Sequence, residues 1–220
     1  VLNGITLRGG TVTGEDGEPG DATSADGGDG ESLEGAGIYV ESGSSASIRN
    51  CVISGFELIA GSGGSGANAE GGDTTDDGTE VITGAVHAGR GGWGGYARGA
   101  GVFVATGASP EFKNCRITQC SVTGGSGGDG GSASEANPNS AGYGGLWNSD
   151  LTASTSWRNW GYEGPYRLYS GYGGGVYCDQ GSSPTFIACQ ITENFAQGGM
   201  SGIGGQLADG TSVEPLESYE

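Results

Sequence analysis

The sequence predicts an all-β protein in which about three and a half rungs of a parallel β-helix carry long Gly-rich loop insertions at one corner. Three 26-residue segments, at 35–60, 99–124 and 173–198, align without a gap. Residues 7–12 match the segment 53–58, so the chain opens with a partial copy. Apolar residues two apart recur at the same positions of every copy, and this period indicates strands rather than helices.

Each repeat is predicted to form three short strands. The first ends in a turn such as Glu41-Ser42-Gly43, and the second bends at Asn50, Asn114 and Ala188. The aligned apolar positions are Ile38/Val102/Val176, Val40/Val104/Cys178, Ile48/Phe112/Phe186, Phe56/Cys120/Asn194 and Leu58/Val122/Ala196. No single repeat can bury its inward row, so the copies are expected to stack about 4.8 Å apart. A β-sandwich would need hairpin turns and would not explain a gapless alignment.

We predict a single domain over 1–220. Its rungs are 1–14 (partial), 35–60, 99–124 and 173–198; the insertions are 15–34, 61–98 and 125–172, and an acidic tail covers 199–220. The chain starts inside a rung with no signal peptide visible, which suggests processing or a piece of a longer protein.

Composition excludes several classes of function. The 220 residues include 51 Gly and 6 Pro, and 26 acidic residues against 8 basic ones give a net charge of −18. Nucleic acid is not an expected partner, because a duplex requires a Lys/Arg footprint. No apolar run is long enough to span a membrane, so no transmembrane segment is expected. An ordinary α/β enzyme does not fit this Gly content.

The repeats resemble a known group of proteins. The segments GGGVYC at 173–178 and ITENFA at 191–196 are similar to the right-handed parallel β-helix repeats of bacterial secreted and surface proteins, including polymorphic outer-membrane protein repeats. The resemblance covers about two fifths of the chain. It implies a right-handed β-helix and an extracellular or cell-surface location, but it does not select a function, because this fold serves lyases, hydrolases, adhesins and filaments.

The strands show no catalytic constellation. The outward positions read Tyr39/Phe103/Tyr177, Ser47/Glu111/Thr185, Arg49/Lys113/Ile187, Val52/Arg116/Gln190 and Ser54/Thr118/Thr192. Neighbouring copies never present two carboxylates, as a carbohydrate-cleaving site would require. His87 is the only histidine, and the pair Asp76-Asp77 has no visible partner. We therefore predict no catalytic residues and no enzyme.

The alignment predicts ladders of identical positions. Tyr39, Phe103 and Tyr177 should form an outward aromatic ladder. The core ladders should be Ile53/Ile117/Ile191 and Cys51/Cys115/Cys189. In-register stacking keeps the Cβ atoms too far apart for a disulfide, so the thiols should be buried and reduced.

The first insertion concentrates acidic residues. Asp16, Asp21, Asp26 and Asp29 lie on a Gly-rich backbone, and such oxygen ligands suit Ca²⁺. Their spacing matches neither an EF-hand nor a Gly-Asp nonapeptide repeat. The alternative, which we favour, is that they are solvated surface charge. No other cofactor is indicated.

The third insertion concentrates aromatic residues. Its predicted contact or glycan-stacking residues are Trp147, Trp157, Trp160, Tyr162, Tyr166, Tyr169, Arg158 and Arg167. This composition is favoured in contact hot spots. The cluster either packs as a satellite core on the repeats or covers another molecule.

These observations favour a structural protein. We expect an extracellular or cell-surface module that mediates adhesion or assembles into a filament, fibre or surface layer. Its partners would be copies of itself or an adjacent β-helix chain, bound through its open rung ends and its aromatic Gly-rich insertions. The alternative is a secreted β-helix protein that binds or cleaves polysaccharide, with glycans as partners.

Overall fold

The computed structural model describes residues 1–69, 88–132 and 171–206, together with the backbone of two short strands at 73–74 and 80–81. These residues are all-β, and none of them is helical. The strands are β1 (Leu2–Asn3), β2 (Thr6–Thr13), β3 (Leu33–Glu34), β4 (Ile38–Val40), β5 (Ser47–Arg49), β6 (Val52–Ile59), β7 (Asp73–Thr74), β8 (Glu80–Val81), β9 (Ala97–Arg98), β10 (Val102–Val104), β11 (Glu111–Lys113), β12 (Arg116–Thr118), β13 (Ser121–Thr123), β14 (Gly171–Tyr172), β15 (Val176–Cys178), β16 (Thr185–Ile187), β17 (Gln190–Thr192) and β18 (Phe195–Gln197).

Equivalent strands of successive repeats pair in parallel. The sheet orders are β1-β5-β11-β16, β15-β10-β4 and β17-β12-β6-β13-β18, with β2 also pairing with β6. The register is the one that the gapless alignment predicts, since Ile117 lies opposite both Ile53 and Ile191 and Leu7 lies opposite Ile53. A slip of one residue would turn the inward row outward, so the apolar pattern fixes this register.

Each repeat bends at several positions with positive φ, and two of these positions contain residues other than glycine. The bend predicted at Asn50, Asn114 and Ala188 has φ values of 53°, 52° and 51°. Asn tolerates this left-handed conformation better than most residues. The side chains also form a ladder, in which Asn114 Nδ2 donates to Asn50 Oδ1 at 3.2 Å and Asn50 Nδ2 donates to Asn3 Oδ1 at 2.9 Å.

The second bend is absent from the sequence prediction. It lies at Gly55, Gln119 and Glu193, with φ values of 71°, 56° and 57°. Its three residues share no chemical property, so the alignment carries no signal for it.

The core lies inside the stacked strands. Its fully buried side chains include Ile48, Ile53, Phe112 and Ile117 of the first two repeats. Phe112 stacks on Phe186 of the third repeat with 4.9 Å between ring centroids. The core is therefore a set of parallel ladders that run from one repeat to the next.

The described parts of the insertions are not irregular loops, which corrects our expectation. Their backbone hydrogen bonds recur every third residue: the N–H groups of Gly14, Gly17 and Gly20 donate to the carbonyls of Ile59, Ser62 and Ser65. A period of three is that of the polyproline II helix. We call this assembly the Gly-x-x layer; its outgoing segments are 14–20, 61–69, 124–132 and 198–206, and its returning segments are 25–32 and 88–95.

Close approach of the segments explains the high Gly content. The N–H of Gly92 donates to the Gly64 carbonyl at 2.7 Å, and the N–H of Gly64 donates to the Gly28 carbonyl at 2.8 Å. A Cβ added at Gly92 would overlap the Gly28 carbonyl, and one added at Gly64 would overlap the Glu18 carbonyl. Only glycine fits where backbones meet this closely.

The returning segments end in a further parallel sheet, β14-β9-β3. These strands lie at 33–34, 97–98 and 171–172, which the sequence prediction assigned to the insertions. The repeat thus begins two residues earlier than the alignment indicated. This sheet contacts β6, β13 and β18, and the ring centroids of Tyr172 in β14 and Tyr177 in the aromatic ladder are 6.1 Å apart.

Candidate functional site

The three rings of the aromatic ladder are stacked, and the middle ring is buried. Tyr39 and Phe103 have ring centroids 5.0 Å apart, and Phe103 and Tyr177 are 5.5 Å apart, both pairs within 15° of parallel. Phe103 is only 2% exposed. The Arg98 guanidinium lies 5.2 Å from the Tyr177 ring centroid and 4.0 Å from that of Tyr96. The ladder points away from the main core; its middle ring is buried, Tyr177 is partly buried and Tyr39 is 49% exposed.

The four aspartates of the first insertion bind backbone N–H groups. Asp16 Oδ1 accepts from the Ser62 N–H at 2.7 Å, Asp26 Oδ1 from Arg90 at 2.7 Å and Asp29 Oδ1 from Trp93 at 2.9 Å. Asp21 Oδ1 accepts from Thr23 and Ser24, and these hydrogen bonds lower the pKa of its carboxyl group.

These carboxylates therefore have a role that neither sequence interpretation contained: three of them hold neighbouring segments of the Gly-x-x layer together. In the described part of the chain, no three His, Cys, Asp or Glu side chains gather in a way that could hold a metal ion. The calcium interpretation gains no support from this geometry.

The burial of the three ladder cysteines differs from one repeat to the next. Cys51 and Cys115 are buried, Cys189 is half-buried, and all five cysteines are free. Cys115 Sγ donates to the Ile48 carbonyl at 3.4 Å. Burial raises the pKa of the Cys115, Cys120 and Cys178 thiols.

We expect native-state alkylation to separate these thiols. Cys178 is exposed and should react first, whereas Cys115 and Cys120 should react at least about tenfold more slowly, because burial blocks the access of the reagent to their sulfur atoms. All rates should rise with pH, since the thiolate is the nucleophile. Peptide mass spectrometry after timed iodoacetamide labelling measures the order, and Cys178→Ser should remove the fast phase. Equal rates at all sites, or a disulfide in the ladder, would contradict the structure.

The outward face of β6 and β12 carries a groove without acid–base chemistry. Its volume is about 330 Å³, and its lining includes Arg8, Ser54, Arg116 and Thr118 but no carboxylate, imidazole or thiol. The nearby Glu111 is paired with Arg49 at 2.9 Å. The groove thus lacks the carboxylate pair that sugar cleavage requires.

The inward row of the third repeat is left uncovered. Ile53 and Ile117 are 0% exposed, but Ile191, at the same position of the ladder, is 46% exposed. Phe186, Cys189 and Ala196 are likewise only partly buried, although their equivalents in the second repeat are buried. We call this surface the closing face. The sequence correctly placed Ile191 in the ladder but not its exposure, which follows from its position in the last described repeat.

The opposite end is also apolar. Val12 is 43% exposed, and Leu2 and Leu7 are partly buried against the first repeat. We call this surface the opening face. Both faces end in parallel strands, whose outer N–H and C=O groups are ready to pair with another strand.

Some predicted site residues lie outside the described residues. They are Trp147, Trp157, Arg158, Trp160, Tyr162, Tyr166, Arg167 and Tyr169. Asp76, Asp77 and His87, which were assigned to no site, also lie outside the described residues. The glycan-binding alternative depends on the aromatic members of this set and stays a prediction.

Comparison with protein-family models, curated proteins and solved structures finds no match to this chain. Within the described residues, no helix is long and apolar enough to cross a lipid bilayer. The exposed apolar residues of the opening and closing faces are therefore the features from which a function can be inferred.

Proposed function

We propose that this chain is a right-handed parallel β-helix module that works as a structural protein, assembling end to end with copies of itself outside the cell or on its surface. The observation that carries the proposal is the step in exposure from 0% at Ile53 and Ile117 to 46% at Ile191 within one ladder. An apolar row that is fully buried inside the stack and uncovered at its end favours a further layer of strand there.

The opening face has the shape and register of that missing layer. Within the chain, Leu2 pairs opposite Ile48 and Leu7 opposite Ile53, the ladder positions that Phe186 and Ile191 occupy in the third repeat. Strands β1 and β2 of a second copy would therefore meet β16, β17 and β18 as they already meet β5 and β6. Such a head-to-tail contact does not close on itself, so it generates filaments.

The extracellular or surface location rests on the resemblance of the repeats and on the acidic, Lys-poor composition. A net charge of −18 also opposes lateral clumping of copies. The proposed assembly therefore depends on contacts between the two apolar faces.

Two substitutions test the polarity of the contact. Ile191→Asp should block the closing face and Val12→Asp the opening face, because each would bury an unpaired carboxylate in the junction. Each variant alone should be monomeric by sedimentation velocity, whereas the unchanged chain forms longer species as concentration rises. An equimolar mixture should give a 1:1 dimer and nothing larger, since one intact face of each kind remains.

The exposed turn residue Ser45 supplies the control, and Ser45→Asp should assemble like the unchanged chain. A monomer at every concentration for the unchanged chain would refute the proposal. So would a mixture that stays monomeric although each variant is folded by circular dichroism.

A further inference from the structure

The backbone hydrogen bonds that join one outgoing segment of the Gly-x-x layer to the next outgoing segment all run in one direction. The N–H of Gly17 donates to Ser62 at 2.7 Å, that of Gly63 to Ser126 at 2.7 Å and that of Gly127 to Met200 at 2.8 Å. A second row runs from Gly20 to Ser65, from Gly66 to Asp129 and from Gly130 to Ile203. Along these two rows, each outgoing segment donates to the next one toward the closing face and accepts from the one on the side of the opening face; the bonds to the returning segments are separate from these rows.

This direction leaves complementary groups at the two ends of the layer. At the closing end, the N–H groups of Ser201 and Gly204 continue the two donor rows and have no partner among the described residues. At the opening end, the carbonyls of Asp16 and Pro19 occupy the acceptor positions and likewise have no partner among the described residues. One end of the layer thus offers N–H donors and the other end offers carbonyl acceptors, and both sets lie on the same two hydrogen-bond rows.

We propose that the Gly-x-x layer continues across the junction between copies, with the N–H groups of Ser201 and Gly204 donating to the Asp16 and Pro19 carbonyls of the next copy. The inference rests on the proposed end-to-end assembly and names a second contact that fixes its register. The recognised partner is segment 14–20 of a second copy of this chain.

The side chains at this contact agree with the proposal. Pro19 lacks an N–H, and this costs nothing, because Gly14, Gly17 and Gly20 supply the donors of that segment. Ile203 is strongly exposed and occupies the same column as Pro19, so the two apolar side chains would meet. Segment 198–206 contains no charged residue to oppose Asp16 or Glu18.

The dimer of the two blocked variants provides the test. Ser201→Pro removes one donor but suits a polyproline II backbone, so the fold should be retained. Placed in the Val12→Asp chain, which supplies the closing face, it should raise the dimer dissociation constant roughly tenfold, because a carbonyl in the junction loses its donor. Placed in the Ile191→Asp chain, whose closing face is already blocked, it should change nothing.

Ser201→Ala keeps the N–H and serves as the side-chain control, with affinity expected to be unchanged. Urea unfolding of the monomeric variants checks that Ser201→Pro leaves the fold intact. If the dimer forms with equal affinity whichever chain carries Ser201→Pro, the layer does not cross the junction, while end-to-end assembly stands. If the blocked variants form no dimer at all, the proposed assembly is wrong and this inference falls with it.

Discussion

Replacing Gly92 by alanine should destabilise the folded chain by about 3 kcal/mol, because the added Cβ would overlap the backbone carbonyl of Gly28. The overlapped atom is backbone, so no side-chain rotation can relieve the clash. Gly92 also lies between two hydrogen bonds, to the Gly64 carbonyl and from the Gly128 N–H, both of which would be strained. For a chain of this size, the expected fall in Tm is roughly 6–12 °C.

Gly28→Ala is the matched control, because the same methyl group is added at the other side of the same contact. There the nearest atom to the added Cβ is the Glu18 nitrogen at 3.1 Å, so a small shift relieves it. We expect a loss of less than about 1 kcal/mol, partly offset by the lower entropy of the unfolded alanine chain. Urea unfolding of both variants at dilute, monomeric concentration measures the difference. Equal effects would show that the segments do not approach as closely as described.

The stacked sheets could be predicted from sequence because three independent features agreed. The gapless alignment set the register, the period of two set the inward rows, and the turn residues set the strand ends. Asn50 and Asn114 revealed the first bend through a residue type that tolerates positive φ. The second bend, at Gly55, Gln119 and Glu193, has no common residue type, so no residue pattern in the sequence indicates it.

The Gly-x-x layer was missed for a different reason. Glycines at 14, 17 and 20 and at 125, 128 and 131 repeat every third residue, but a high Gly content is typical of loops, so the sequence predicts loop insertions there rather than close backbone packing. The segments also depend on partners that are distant in the sequence, up to 74 residues away, which no local pattern reveals. Without the neighbouring segments, the sequence predicts Asp16, Asp26 and Asp29 to be calcium ligands or solvated charge. In the structure they accept hydrogen bonds from those segments.

Phe112→Ala should cost about 3–5 kcal/mol of folding free energy, since Phe112 is fully buried in the middle repeat and the surrounding ladders cannot collapse into the space it leaves. Its ring stacks on Phe186, so the substitution also removes an aromatic contact. Both end faces remain intact in this variant. Below its unfolding temperature, it should therefore assemble with the affinity of the unchanged chain.

Phe186→Ala makes the same change one layer further along the same ladder, where the side chain is only partly buried. The loss of monomer stability should be less than half of that for Phe112→Ala, because the cavity opens to water at the closing face. The junction, however, loses an aromatic anchor from its centre, so the assembly affinity should fall by about tenfold or more. Unfolding and sedimentation measured on both variants separate the two roles. If Phe186→Ala were the more destabilising monomer and assembled normally, the closing face would be ordinary surface and end-to-end stacking would lose its physical basis.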